Sequence, residues 1–128
     1  MTQELQHSIL YRKLLPPERD TAGDHLVRLS PRSRRLRFAH AVSDGFIAAY
    51  ADRMIGPYDT VHGAFAGVSL RGCGELRLTP DRSPRVGEIA LSVEDPWQGA
   101  GIGTELFRRL LRSARNRRVE CCYVLCVE

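Results

Sequence analysis

The stretch from Glu88 to Ala114 constrains this chain more than any other. An apolar, alternating run, Ile89-Ala90-Leu91-Ser92-Val93, gives way to Gln98-Gly99-Ala100-Gly101-Ile102-Gly103-Thr104. An amphipathic run from Ile102 to Ala114 follows. The order is strand, glycine-rich turn, helix start. The first turn of a helix leaves backbone N–H groups without intrahelical partners and carries a partial positive charge. Glycines let an anion reach those groups with no Cβ in the way, so the segment reads as a cradle for a pyrophosphate.

The glycine spacing excludes two better-known cradles. A Walker loop ends in Gly-Lys-Ser/Thr, whereas Gly103 is followed by Thr104 and Glu105. A dinucleotide fingerprint runs Gly-x-Gly-x-x-Gly early in a βαβ unit. Here Gly99, Gly101 and Gly103 alternate, close to the end of the chain. The pattern that fits is Gln-x-x-Gly-x-Gly on Gln98, Gly101 and Gly103, led in by residues Ile89 to Trp97. This segment resembles the acetyl-CoA-binding motif of the GNAT N-acetyltransferase family. Leu29 to Phe38 is similar to a segment in the N-terminal helices of its bacterial protein-acetyltransferase members.

Local patterns supply the elements. Ile9 to Leu15 reads as a strand, stopped by Pro16-Pro17, and a helix is expected from about Pro17 to Leu29. Ser30-Pro31 gives a helix cap and first position, and a further helical stretch runs from Ser43 to Met54 before Gly56-Pro57. From Thr60 the period changes to two, with alternation to Leu70. Gly72-Cys73-Gly74 reads as a hairpin turn leading into strand Glu75 to Thr79. After a polar loop at residues 80–84, a strand runs from Val86 to Glu94. The last element expected is a buried strand from Glu120 to Val127.

The fold class is therefore α/β with a mixed sheet, in the order β-α-α-β-β-β-α-β, as one domain over residues 1–128. Resemblance to the family implies antiparallel central strands. The last strand would run parallel to the one before the helix, joined by a right-handed crossover. It also implies that these two parallel strands splay into a cleft for the pantetheine arm. The sequence ends at Glu128, before the helix and two strands with which family members normally continue, so the fold reads as C-terminally shortened. That helix often supplies a tyrosine that protonates the thiolate. Tyr123 does not match its position.

The implied chemistry is transfer of acetyl from acetyl-CoA to a primary amine by direct attack in a ternary complex. The alternative is a non-catalytic module that binds acetyl-CoA without turnover. By resemblance, the backbone of Leu91, Ser92 and Val93, opened by a bulge, holds the thioester and its developing oxyanion. Gln98, Gly99, Ala100, Gly101, Ile102, Gly103 and Thr104 hold the pyrophosphate. Glu88 is the candidate general base, against a competing reading as an ion pair with Arg77 or Arg85. Glu75, Tyr58 and His62 follow it, and Trp97 is expected to pack under the loop.

Charge and composition narrow the partners. The net charge is +4, and every Lys/Arg position except Lys13 is arginine. One cluster runs from Arg32 to Arg37 and a second from Arg108 to Arg118. Both read as solvated helix faces or as a field for an anionic cofactor or an acidic substrate. Interleaved aromatics and a helix-turn-helix pattern are absent, so nucleic acid is not an expected partner. The expected partners are a small-molecule or protein amine, and a second copy paired through the exposed last strand. Cys73, Cys121, Cys122 and Cys126 contain no Cys-x-x-Cys pair and read as buried thiols rather than a metal site. No apolar run reaches the roughly 20 residues of a bilayer span, and the first residues lack a secretory pattern. A cytoplasmic location without membrane contact is expected.

Overall fold

A computed structural model describes residues 8–79 and 85–124. Strand β1 covers Ile9–Lys13, and a single 3-10 turn at Pro16–Glu18 leads into helix α1, Arg19–Val27. Helix α2, Pro31–Phe38, and α3, Asp44–Ala51, complete the first half. Then come β2 (Asp59–Ala66), β3 (Ser69–Leu78), β4 (Val86–Val93), helix α4 (Ile102–Asn116) and β5 (Cys121–Val124). The chain thus carries three helices before β2, one more than the expected order. The one the order left out is α2, which begins at the expected Ser30-Pro31 cap, Ser30 accepting a hydrogen bond from the Ser33 N–H.

The strands form one sheet in sequence order, β1 to β5. The first three pairings are antiparallel, and β4 pairs with β5 in parallel. This is the predicted mixed sheet, with α4 as the crossover. Helix α4 lies on one face of the sheet because Ile102, Leu106, Leu110 and Ala114, spaced four apart, bury a continuous stripe. The other face is covered by α1 and α3, where Ala22, Leu26, Ile47 and Ala51 pack with Val61, Phe65, Leu70 and Cys73.

The hairpin turn lies elsewhere than expected. Gly67 and Val68 connect β2 to β3, with Gly67 at φ +61°, a left-handed conformation that glycine adopts without strain. Gly72 and Gly74 sit inside β3 instead. An added Cβ would stand 2.7 Å from Ile102 Cγ2 at Gly72 and 2.9 Å from Leu110 Cδ1 at Gly74. They are glycine so that α4 can lie against the strand. The register shift in this hairpin falls between Ala64 and Phe65.

The last strand also departs from expectation. Cys121, Tyr123 and Val124 are exposed and Cys122 is half-buried, because β4 alone among the described strands pairs with this edge. Of the thiols, Cys73 alone among the described residues is buried. The loop at 80–84, Cys126 and the end of the predicted last strand lie outside the described residues. Among the described residues, no helix is long and apolar enough to cross a membrane.

Candidate active site

Strand β4 aims its C-terminal end at the glycine segment. Glu94 follows it, and a 3-10 turn at Asp95–Trp97 redirects the chain. Trp97 packs with Ala64, Ile102 and Leu106 under the loop, and the Arg71 guanidinium lies 5.3 Å from its ring centre. Gly99 and Gly101 adopt φ of +80° and +87°. A Cβ at either would meet nothing within 4 Å, so backbone conformation rather than crowding demands glycine here. Among the described residues, the Cβ side of both glycines is open.

Gly101 is the residue before α4. The first intrahelical bond runs from the Glu105 N–H to the Gly101 carbonyl at 3.0 Å, and no side chain caps this helix. The N–H groups of Ile102, Gly103 and Thr104 therefore precede the ladder and face outward at the positive end of a 15-residue helix. Glu105, an anion in the first turn, would oppose a phosphate. Arg109 Nε and Arg108 Nη1 donate to it at 2.9 and 2.6 Å, and they hold its carboxyl below the usual carboxylate range. The residues present fit a pyrophosphate.

Each predicted binding residue has a distinct position. Gln98 Nε2 donates to the Val93 carbonyl at 2.9 Å and to Ser33 Oγ at 3.2 Å, so this side chain braces the loop. The Ile102 side chain is core, and the Thr104 side chain is exposed. Ala100 is half-buried between its two left-handed neighbours. Leu91, Ser92 and Val93 pair with Gly74, Cys73 and Gly72 in unbroken register, so the expected bulge is absent from the β3 side of β4. On the other side, the described pairing with β5 covers Val86 to Ile89. The expected splay beyond Ile89 would involve residues 125–128, outside the described residues.

Ser92 and Glu94 reveal a cluster the sequence did not disclose. His25 of α1 is fully buried. Its Nδ1–H donates to Glu94 Oε2 at 2.9 Å, and Nε2 faces Ser92 Oγ at 2.9 Å. Arg28 Nε reaches both Glu94 oxygens at 3.1 Å, and Arg71 Nη1 donates to Oε1 at 2.8 Å. Burial alone would raise the Glu94 carboxyl, but hydrogen bonds from His25, Arg28 and Arg71 hold it below its ordinary value. Ser, His and Glu in this order suggest a nucleophile triad. Yet Ser92 is 7% exposed and also faces the Cys73 carbonyl, so the cluster fastens α1 to the end of β4.

A second fastening lies beside it. Asp95 Oδ2 accepts from Ser30 Oγ at 2.8 Å and Ser33 Oγ at 3.0 Å, and Oδ1 accepts from the Ser30 N–H. The N-terminus of α2 is thereby docked on the approach to the glycine loop.

Glu88 lies on the face of β4 away from α4, opposite Arg77 on β3 and Tyr123 on β5. The Tyr123 hydroxyl donates to Glu88 Oε2 at 3.3 Å. Neither expected ion pair forms: Arg77 turns to Asp59 and Tyr50, and Arg85 donates to the Arg117 carbonyl. One hollow of about 100 Å³ is lined by Glu88, Ala90, Glu75, Arg37, Tyr50 and Arg77, among others. Within it, buried Glu75 accepts from the Tyr50 hydroxyl at 2.5 Å and from Arg37 at 2.6 Å. Burial and the Glu75 charge push the Tyr50 phenol far up. His62 is on the opposite face, its Nε2 3.3 Å from Ser113 Oγ of α4. Burial, with Lys13 and Arg109 nearby, lowers it to about 4, and it takes no part in this hollow.

The comparisons agree with this architecture. The model for the acetyltransferase (GNAT) family matches residues 24–128, and the chain belongs to that family. It is an acyltransferase by membership, with acetyl-CoA as the family's cosubstrate. Among curated proteins, no sequence match was found. A predicted acetyltransferase from Clostridium acetobutylicum, solved with acetyl-CoA, has a similar fold: TM-score 0.69, 16% identity, over 94% of this chain and 82% of that one. An aminoglycoside acetyltransferase from an uncultured soil metagenomic sample, in complex with sisomicin, aligns with TM-score 0.70 and 14% identity. That alignment covers 97% of this chain and 81% of the other. The ribosomal-protein-alanine N-acetyltransferase of Brucella melitensis biovar Abortus 2308 aligns with TM-score 0.69 and 17% identity, covering 94% and 81%.

Proposed function

We propose that this chain transfers the acetyl group of acetyl-CoA to a primary amine by direct attack, with both substrates bound at once. The observation that carries the reading is the start of α4: uncapped N–H groups behind two left-handed glycines, whose Cβ side is open among the described residues. Backbone N–H groups from Gly99 to Thr104 hold the pyrophosphate, and the exposed Thr104 hydroxyl adds a contact. Acetyl-CoA supplies the acyl group already activated as a thioester. The Ser92 side chain is turned inward to His25, so β4 offers the thioester its backbone.

Glu88 takes a proton from the incoming ammonium, directly or through one water. The freed nitrogen lone pair forms the N–C bond as the C–S bond breaks. The thiolate then takes a proton from water. The same reading puts the chain in the cytoplasm, where acetyl-CoA is available.

Thiol release from acetyl-CoA over a panel of primary amines, beside calorimetry with CoA, tests this. Saturable release is expected. Binding without release on any amine would leave a non-catalytic acyl-CoA module, and absence of binding heat would remove both readings.

A further inference from the structure

We infer that the amine accepted by this chain carries an oxyanion, a carboxylate or phosphonate-like group, a short chain away from its nitrogen. The inference rests on the acetyl-transfer reading above and assigns its acceptor subsite. Beside the hollow at Glu88 lies a second one of about 390 Å³, lined by Arg53, Arg77, Tyr50, Tyr58 and Asp59, among others. Tyr50, Asp59 and Arg77 line both, so the two hollows adjoin at these side chains. The outer space is of the size that takes a compact small molecule.

The charges that line the two hollows are not evenly available. Glu75 is occupied by Tyr50 and Arg37. Asp59, the acid that lines the outer hollow, is 13% exposed in its side chain. It accepts the Gly56 N–H at 3.0 Å and faces Arg77 Nε at 3.4 Å. What faces solvent is of the opposite sign. The Arg77 side chain is 48% exposed, and its contacts to Asp59 and the Tyr50 hydroxyl are both long, at 3.4 Å. Arg53 and Tyr58 are exposed on the same rim. A planar guanidinium with spare donors, beside a second one and a phenol, fits an oxyanion by charge and by donor geometry.

The inner hollow holds Glu88 and Glu75 with Arg37 and Arg77; Arg37 is bound to Glu75 and Arg77 turns to Asp59 and Tyr50, which leaves the Glu88 carboxylate for an ammonium group. The adjoining hollows are therefore bipolar, with the amine at Glu88 and the anion at the outer rim. A second ammonium at the rim would meet two arginines at close range and be repelled.

Four acceptors of matched length separate the possibilities: pentylamine, 5-aminopentanoate, 4-aminobutylphosphonate and 1,5-diaminopentane. Their binding to the full chain with CoA present is measured by calorimetry, and their acetylation by thiol release. At least tenfold tighter binding of one or both anionic amines than of pentylamine is expected, with 1,5-diaminopentane weakest; the two anionic arms report which oxyanion is preferred. Arg77→Gln and Arg53→Gln should each shrink that preference, and Arg77→Glu should turn it toward the diamine. Equal binding of charged and neutral amines, or a diamine preference in the unaltered chain, overturns the inference. Anion-dependent binding without acetylation would uphold the subsite and remove the transfer reading. Acetylation without anion preference would do the reverse.

Discussion

Glu94 has a 4% exposed side chain, yet His25, Arg28 and Arg71 all converge on it from α1 and β3. Removing one member of such a cluster leaves the others uncompensated. Glu94→Ala should cost about 3 kcal/mol at neutral pH in urea unfolding, since two of the partners are partly exposed and stay hydrated. The sign of the pH effect follows from the lowered carboxyl. Its stabilisation is complete above the ordinary glutamate range and is lost as pH falls through the lowered value. Acid unfolding of Glu94→Gln should accordingly be less steep below the ordinary glutamate range than that of the unaltered chain, and equal slopes would show that other carboxylates control it. Two substitutions separate binding from chemistry at the proposed site. Gly101→Glu puts a carboxylate and a strained φ at the cradle, and calorimetry should show acetyl-CoA affinity falling at least a hundredfold. Glu88→Gln should lower kcat about a hundredfold or more while cofactor affinity holds. An unchanged rate across pH would move the base elsewhere.

The contact of α4 with β3 shows what an element needs that its own sequence does not state. Gly72 and Gly74 look like turn residues when only neighbours in sequence are considered. Their reason is the Ile102–Leu110 stripe across the sheet, some 30 residues away. The true turn at Gly67-Val68 was hidden inside an apparently continuous alternation of small and apolar residues. Helix α4 itself was legible because its apolar spacing and glycine start are contiguous. The arginine clusters were legible only as charge. Arg34 spans the Val27 and Val42 carbonyls and Asp44, and Arg37 is buried on Glu75, whereas Arg32 and Arg35 are exposed. Gly72→Val should destabilise the chain by about 2 kcal/mol through overpacking against Ile102. Equilibrium unfolding checks this. A neutral result would mean that α4 can move away from the sheet without loss.

At the scale of the molecule, the C-terminal end of β4 is tied to elements distant in sequence. His25 and Ser30 hold its C-terminal end to the first helices, while Arg37 and Tyr50 hold Glu75 on the neighbouring β3. The cradle was readable because its parts are neighbours; these ties join residues 25 to 69 positions apart and leave no local pattern. Acetyl-CoA bound only by the folded chain should stabilise it by about 2.7 kcal/mol at a hundredfold excess over Kd. A urea midpoint that does not move with added cofactor would count against the site, and Gly101→Glu should abolish the shift. The thiols give this opening a clock. Cys121 is exposed on the edge strand, whereas Cys73 is sealed beneath the helices and burial pushes its thiol well up. An alkylating reagent should consume Cys121 at once and Cys73 only when the layers part, so the delay between the two reports how often the protein opens.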